Sequence, residues 1–328
     1  MANVIQEVLI KALAQGKFVS GQVLADQIGV SRTAILKHIN LLKKMGLDIY
    51  SVRGKGYKLS SPLNLLSLEK IMEAISDSKH KAEVEVHNII DSTNNYLMRR
   101  LPNSVVQGQA CLAEYQDSGR GRRGRKWISP FGSQIYLSMY WQLSHGLSSA
   151  MGLSLVTALA VSDAIKKCCD IQVELKWPND IYINGVKVAG ILIDLEGQPL
   201  EECHSVIGIG LNVDMPKSAG DEIDQAWTDL TSHYKQPVDR NILSAELIKS
   251  LWDRLAQYSL NGIDEMVEEW HSHDLYLNKS VKLLTGEKVT KGICRGVNHQ
   301  GALLLEINGI IKPIYGGEVS LRGDDLCY

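Results

Sequence analysis

The chain has 328 residues, 45% of them hydrophobic and 22% charged, with a formal net charge of −2. That length exceeds what one hydrophobic core usually serves, so two or three globular domains are expected. No apolar run nears the roughly 18 residues of a membrane span, the N-terminus shows no signal pattern, and the six cysteines include no Cys-x-x-Cys pair, which argues against membrane, secreted and zinc-scaffold classes. A cytoplasmic protein with mostly buried thiols is the expectation.

Charge is unevenly distributed. Residues 1–60 hold nine Lys/Arg against three acids, a net +6, which leaves −8 for the remainder. Only the first part of the chain is therefore expected to meet a polyanion. Apolar residues at 4, 5, 8, 9, 12 and 13 predict a helix over 4–14. Ser20 can cap a second helix over 22–28, Gly29-Val30 makes a turn, and Ser31 can cap a third over 32–45 that Gly46 ends. Helix, short turn, helix is a DNA-reading arrangement. On the third helix Ile35, Ile39, Leu42 and His38 share the inner side, leaving Arg32, Thr33, Lys37 and Asn40 outside, where their donors suit phosphates and base edges. Strands over 48–52 and 57–60 flank Arg53-Gly54-Lys55-Gly56, a wing with Arg53 and Lys55 at its tip. The alternative reading is a helical cap with a solvated basic face, and His38 reads as a packed residue.

A winged helix-turn-helix over 1–62 is followed by a connector over 63–83. Within it, 63–75 is apolar enough for a packed helix, and 77–81 is polar. A strand over 84–90 leads to Asp91-Ser92-Thr93-Asn94 and a short helix over 95–100. Those small hydroxyl and amide groups can cap the helix or hold a polar ligand, and the tetrapeptide alone favours capping. A strand over 105–116 then precedes Gly119-Arg120-Gly121-Arg122-Arg123-Gly124-Arg125-Lys126-Trp127, whose first eight residues contain five cations and three glycines. Glycine lets a loop fold tightly and arginine neutralises anions, so this stretch can wall an anion pocket. Composition alone equally allows a solvated loop or a nucleic-acid arm.

A strand over 135–141, a helix over 148–169 and strands over 173–177 and 181–183 follow, the last two around Pro178-Asn179-Asp180. Asn184-Gly185 predicts a type I′ hairpin into a strand over 186–195. In the strand over 206–213, Gly208 and Gly210 should let a ligand or backbone approach closely. Helices over 241–260 and around Met266 and Trp270 supply core. The hairpins imply an α+β body, 84–270, with a mixed, largely antiparallel sheet and helices on one side. Five short strands over 281–284, 289–295, 302–306, 310–314 and 319–321, with Gly316-Gly317 among their turns, suit an SH3-like barrel over 271–328.

Four motifs occur in order: Asp91-Ser92-Thr93-Asn94, the loop from Gly119 to Trp127, Lys176-Trp177-Pro178-Asn179-Asp180, and Lys187-Val188-Ala189-Gly190-Ile191-Leu192. With the N-terminal helices, the whole chain resembles bifunctional bacterial biotin protein ligases that also repress the biotin operon, and whose central fold is class II synthetase-like. The resemblance implies formation of biotinoyl-5′-AMP from biotin and ATP, then transfer of biotin to a lysine of a biotin carboxyl carrier domain. It assigns Ser92, Thr93, Asn94 and Gln116 to the ureido ring, and Arg120, Gly121, Arg122 and Lys187 to the carboxylate and phosphate. Lys176 and Asn179 fall nearer the nucleotide phosphates, with Mg²⁺ held mainly by phosphate oxygens and water rather than by a dedicated protein site. Trp127, Trp227 and Asn212 fall near the adenine, although core packing is an equal reading for each tryptophan. It further implies an adenylate-promoted homodimer through sheet edges on palindromic operator DNA. Two other readings are a DNA-binding sensor without ligase activity and a lipoate or other acyl ligase. Arg120, Arg122 and Lys187 favour a ligase over a sensor, and the polar Ser92-Thr93-Asn94 set suits a ureido ring better than a dithiolane.

Overall fold

The computed structural model describes the chain except residues 1, 81, 144–149, 151, 198–201, 316–318 and 325–328. The expected Gly316-Gly317 turn, Cys327 and the start of the helix expected from 148 lie outside the described residues.

Three helices, α1 Ala2–Leu13, α2 Gly21–Ile28 and α3 Arg32–Lys44, enclose Leu9, Ile10, Leu13, Leu24, Ile35, Ile39 and Leu42. The Ser20 side chain accepts from Gln22 N and that of Ser31 from Ala34 N, while Gly29 at φ 75° closes α2 with a left-handed residue. Strands β1 Ile49–Val52 and β2 Gly56–Leu59 pair antiparallel from Ile49↔Leu59 to Val52↔Gly56, forming the wing. Val19 and Tyr57 exchange backbone hydrogen bonds of 2.8 and 2.9 Å. That pairing brings Val19 O to 2.1 Å from where a Cβ on Gly56 would stand, and Gly56 has φ 99°, so glycine is required.

The winged helix is not loosely tethered. Its core extends to Phe131, whose N–H donates to Met45 O at 2.8 Å, and Gly46 lies against Pro130. The connector helix is shorter than expected: α4 covers Leu68–Ile75, capped by Ser67. The preceding backbone is held by long-range partners instead. Leu66 N donates to Glu114 Oε1 at 2.5 Å, Ser67 N to Asn241 Oδ1 at 2.7 Å, and Arg240 Nη1 to Asn64 O at 2.9 Å. Arg240 and Glu114 themselves form a buried ion pair at 2.7 Å, with side chains 3% and 1% exposed.

The body consists of β3 Val84–His87, α5 Thr93–Met98, β4 Ala110–Ala113, β5 Gln134–Leu143, α6 Leu153–Cys169, β6 Glu174–Lys176, β7 Asp180–Ile183, β8 Val186–Gly197 and β9 Cys203–Asn212. The helices α7 Lys217–Gly220, α8 Arg240–Asn261 and α9 Val267–His273 follow. The sheet runs β3-β4-β5-β9-β8-β7-β6, and among these described strands only β3 and β4 pair parallel. Ile135, Leu137 and Met139 of β5 pack with Leu155, Val156 and Leu159 of α6 and Leu247 and Leu251 of α8. The short α5 lies on the opposite face, Leu97 against Cys111, Tyr140 and Val206. Asn184 at φ 50° and Gly185 at φ 74° form the β7–β8 turn.

The strand expected over 105–116 contracts to β4. Gly108 has φ 75° and the Trp252 indole fills the space of its missing Cβ, so the chain bends before Ala110. Strands β10 Ser280–Thr285, β11 Lys288–Val297, β12 Leu303–Ile307, β13 Ile310–Ile314 and β14 Val319–Gly323 form an antiparallel sheet ordered β13-β12-β11-β10-β14. It meets the body where Trp177 Nε1 donates to Gly301 O at 3.1 Å. Cys111, Cys169, Cys203 and Cys294 are buried free thiols and Cys168 is half-buried. No helix among the described residues is long and apolar enough to cross a membrane.

Candidate active site

The arginine loop is braced by its own backbone. Trp127 N donates to Gly119 O at 2.9 Å and Gly121 N to Arg125 O at 2.7 Å, around a tip where Arg123 has φ 60° and Gly124 φ 71°. The loop covers a cleft of about 510 Å³ over β8 and β9. The floor is Gly190, Gly208 and Gly210. A Cβ on Gly208 would stand 2.2 Å from Asn94 Oδ1, and one on Gly210 2.4 Å from the Trp127 ring. The space expected to admit a ligand or backbone is thus filled by two side chains of the pocket wall.

One end of the cleft is neutral and polar. Ser92 Oγ caps α5, accepting from Asn95 N at 3.4 Å, and still faces the cleft. Thr93 donates to Gln116 Oε1 from its N–H (3.0 Å) and hydroxyl (3.2 Å). Ser138 Oγ lies 2.7 Å from Thr93 Oγ1 and donates to Asn94 Oδ1 at 2.5 Å. Asn94 Nδ2 donates to Leu192 O at 3.2 Å and Asp194 Oδ2 at 2.9 Å. This end is a rigid set of amides and hydroxyls, suited to a neutral ring bearing both donors and acceptors.

The other end is cationic. Arg120 pairs with Asp194 at 2.5 Å, Arg122 Nη1 donates to Asn179 Oδ1 at 2.9 Å, and Lys187 Nζ lies 2.6 Å from Asp180. Burial lowers the Arg122 guanidinium below the usual arginine value, with Asp180 opposing the shift. Lys176 donates to Tyr182 OH at 3.0 Å, and burial pushes its pKa down to about 8; Asp180 opposes that, while Arg322, Lys187 and Arg125 add to it. Between the ends, Trp127 donates from Nε1 to Gln134 Oε1 at 2.8 Å and receives the Lys187 ammonium 5.6 Å from its ring centroid. Trp227 packs on Gly220, Thr228 N donates to Lys187 O at 2.8 Å, and Asn212 Nδ2 donates to Thr228 O at 2.9 Å, so this segment borders the cleft beside Lys187.

Every pocket residue expected from the sequence, from Ser92 to Trp227, lines this one cleft. Sequence reading did not single out Asp180, Ser138, Gln134 or Asp194. Asp180 lay within a quoted motif and so had a signal; Ser138 and Asp194 had none, because their partners stand far away in sequence. Arg32, Thr33, Lys37, Asn40, Arg53 and Lys55 are exposed, on the outer face of α3 and on the wing. Lys55 and Lys58 lie 5.8 and 5.7 Å from the Phe18 ring centroid.

Known proteins match this layout. The HTH domain model matches residues 5–58, the Biotin/lipoate A/B protein ligase family model 86–212, and the Biotin protein ligase C terminal domain model 276–322. The bifunctional ligase/repressor BirA of Salmonella typhimurium is 44% identical, over 96% of both chains, and that of Escherichia coli 43%, over 98% of both. A biotin protein ligase from Aquifex aeolicus solved with biotin and ATP is 31% identical with a TM-score of 0.63, covering 74% of this chain and 99% of its own. The chain belongs to the biotin protein ligases. Within them it falls with the bifunctional ligase/repressors, which it matches over nearly its full length.

Proposed function

We propose that this chain is an ATP-dependent biotin protein ligase that also represses transcription in response to biotin. The observation that carries the reading is one cleft with a neutral amide-and-hydroxyl end and a cationic end, joined under a glycine-arginine loop. Ser92, Thr93, Asn94 and Gln116 hold the ureido ring, which directs the acyl tail toward Arg120, Arg122 and Lys187. A carboxylate oxygen attacks the α-phosphorus of ATP and pyrophosphate leaves. The barrier comes from crowded negative charge, and fixed cations lower it without reorganising. Lys176 and Asn179 steady the phosphates, with Mg²⁺ carried mainly on phosphate oxygens and water. Trp127, Trp227 and Asn212 border the adenine, and the loop keeps water from the mixed anhydride.

In the second step a lysine amine of a biotin carboxyl carrier domain attacks the acyl carbon, AMP leaves, and the amine gives up a proton. Residues 1–62 bind operator DNA through Arg32, Thr33, Lys37, Asn40, Arg53 and Lys55, as an adenylate-promoted homodimer on a palindromic site. The body over 84–270 and the module over 271–328 carry out the chemistry. The test is ATP–pyrophosphate exchange with biotin and then with lipoate. Exchange with biotin is expected; exchange with lipoate alone overturns the substrate assignment, and exchange with neither leaves a sensor. Arg122→Gly is expected to release free biotinoyl-AMP, and unchanged retention in that variant gives the loop another task.

A further inference from the structure

Asp194 does not line the cleft, yet it touches both of its ends. It sits on β8 opposite Val206, with its side chain 21% exposed. Asp194 Oδ2 accepts from Asn94 Nδ2 at 2.9 Å and from Arg120 Nη2 at 2.5 Å, and Oδ1 lies 3.4 Å from Arg120 Nη1. Asn94 belongs to α5 and Arg120 to the arginine loop, so one carboxylate ties both to the same sheet strand.

The bond to Asn94 has a definite consequence. An anion beside Nδ2, together with the Ser138 hydroxyl donating to Oδ1, permits only one orientation of this nearly buried amide. Asn94 thus lines the cleft with its amide held in one orientation, Oδ1 over Gly208. The bond to Arg120 acts at the root of the loop. A forked guanidinium held by a carboxylate loses torsional freedom, so the root of the loop starts from a defined place on the sheet.

The geometry points to Asp194 as a positioning residue that couples recognition of the ligand's cyclic amide head to closure of the arginine loop. This rests on the ligase reading above. Asp194 fixes the Asn94 amide for the head group and anchors Arg120 at the root of the loop that retains the acyl-adenylate, so one carboxylate serves both.

The test uses the full chain and the variants Asp194→Ala, Asp194→Glu, Arg120→Ala and the Asp194→Ala/Arg120→Ala pair. Biotin KM and kcat come from pyrophosphate exchange, adenylate retention from the release of labelled biotinoyl-AMP, and folding from the thermal midpoint. Asp194→Ala is expected to raise biotin KM about tenfold and to speed release about tenfold, each the effect of losing one charge-assisted hydrogen bond, with the midpoint unchanged. Asp194→Glu restores part of both. In the Arg120→Ala background, Asp194→Ala still raises KM, through Asn94, but adds nothing to release, because the shared partner is gone. Unchanged KM and release overturn the proposal, and so does a lower midpoint with reduced kcat and wild-type KM, which marks a merely structural acid. If the wild type shows no exchange with biotin, the ligase reading has failed, a result distinguishable from either of these.

Discussion

Replacing Lys176 with methionine should make the protein more stable and less active. Lys176 is 8% exposed, and its ammonium is held at a pKa of about 8 against an ordinary 10.5. At about 1.4 kcal/mol per pKa unit, the folded state carries a cost of about 3 kcal/mol for keeping this charge at neutral pH. Because the folded pKa lies below the unfolded one, the unfolded chain binds more protons between pH 8 and 10.5. The cost is therefore full below about 8 and fades as pH rises toward 10.5. Methionine fills a similar volume without the charge, at the loss of the 3.0 Å bond to Tyr182. Urea unfolding of wild type and Lys176→Met from pH 7 to 10.5 should show the variant ahead by about 2–3 kcal/mol at pH 7, with the gap closing across that range. Pyrophosphate exchange should show ATP KM raised in the variant, and rising in the wild type above about pH 8 as the charge is lost. A gap under about 1 kcal/mol at pH 7, or one that stays flat with pH, refutes the buried-charge account.

Two further outcomes follow from other parts of the molecule. Glu114→Ala leaves Arg240 buried without its carboxylate and frees Leu66 N, so denaturant unfolding should show a loss of about 3–5 kcal/mol, and a loss under about 1 kcal/mol would mean that water replaces the pair. Arg53→Ala and Lys55→Ala should each lower the slope of log affinity for operator DNA against log salt by about 1, and an unchanged slope removes the wing from the phosphate contacts.

Local signals carried much of the architecture. The Ser20 and Ser31 caps, the Gly29 stop, the wing and the Asn184-Gly185 turn are read within a few residues, and each forms where hydrogen bonding and φ preference put it. What failed was set across the fold. The 105–116 strand shortens because Trp252, over a hundred residues later, lies on Gly108, and residues 63–67 stay outside the helix because Arg240, Asn241 and Glu114 take their backbone groups. The pocket followed the same rule. Its cations and amides stood in contiguous motifs, whereas Asp194 and Ser138 acquire meaning only when β5 and β8 come together with α5.

The glycine floor bears on how the specificity of this cleft could change. Gly208 and Gly210 are bare because Asn94 and Trp127 already occupy the volume above them, so a side chain grown from either would evict a wall residue before it touched any guest molecule. Re-engineering toward another acyl group must begin elsewhere in the lining, with Thr93, Gln116 or the arginine loop, where replacing an atom alters the vacant space and not the masonry.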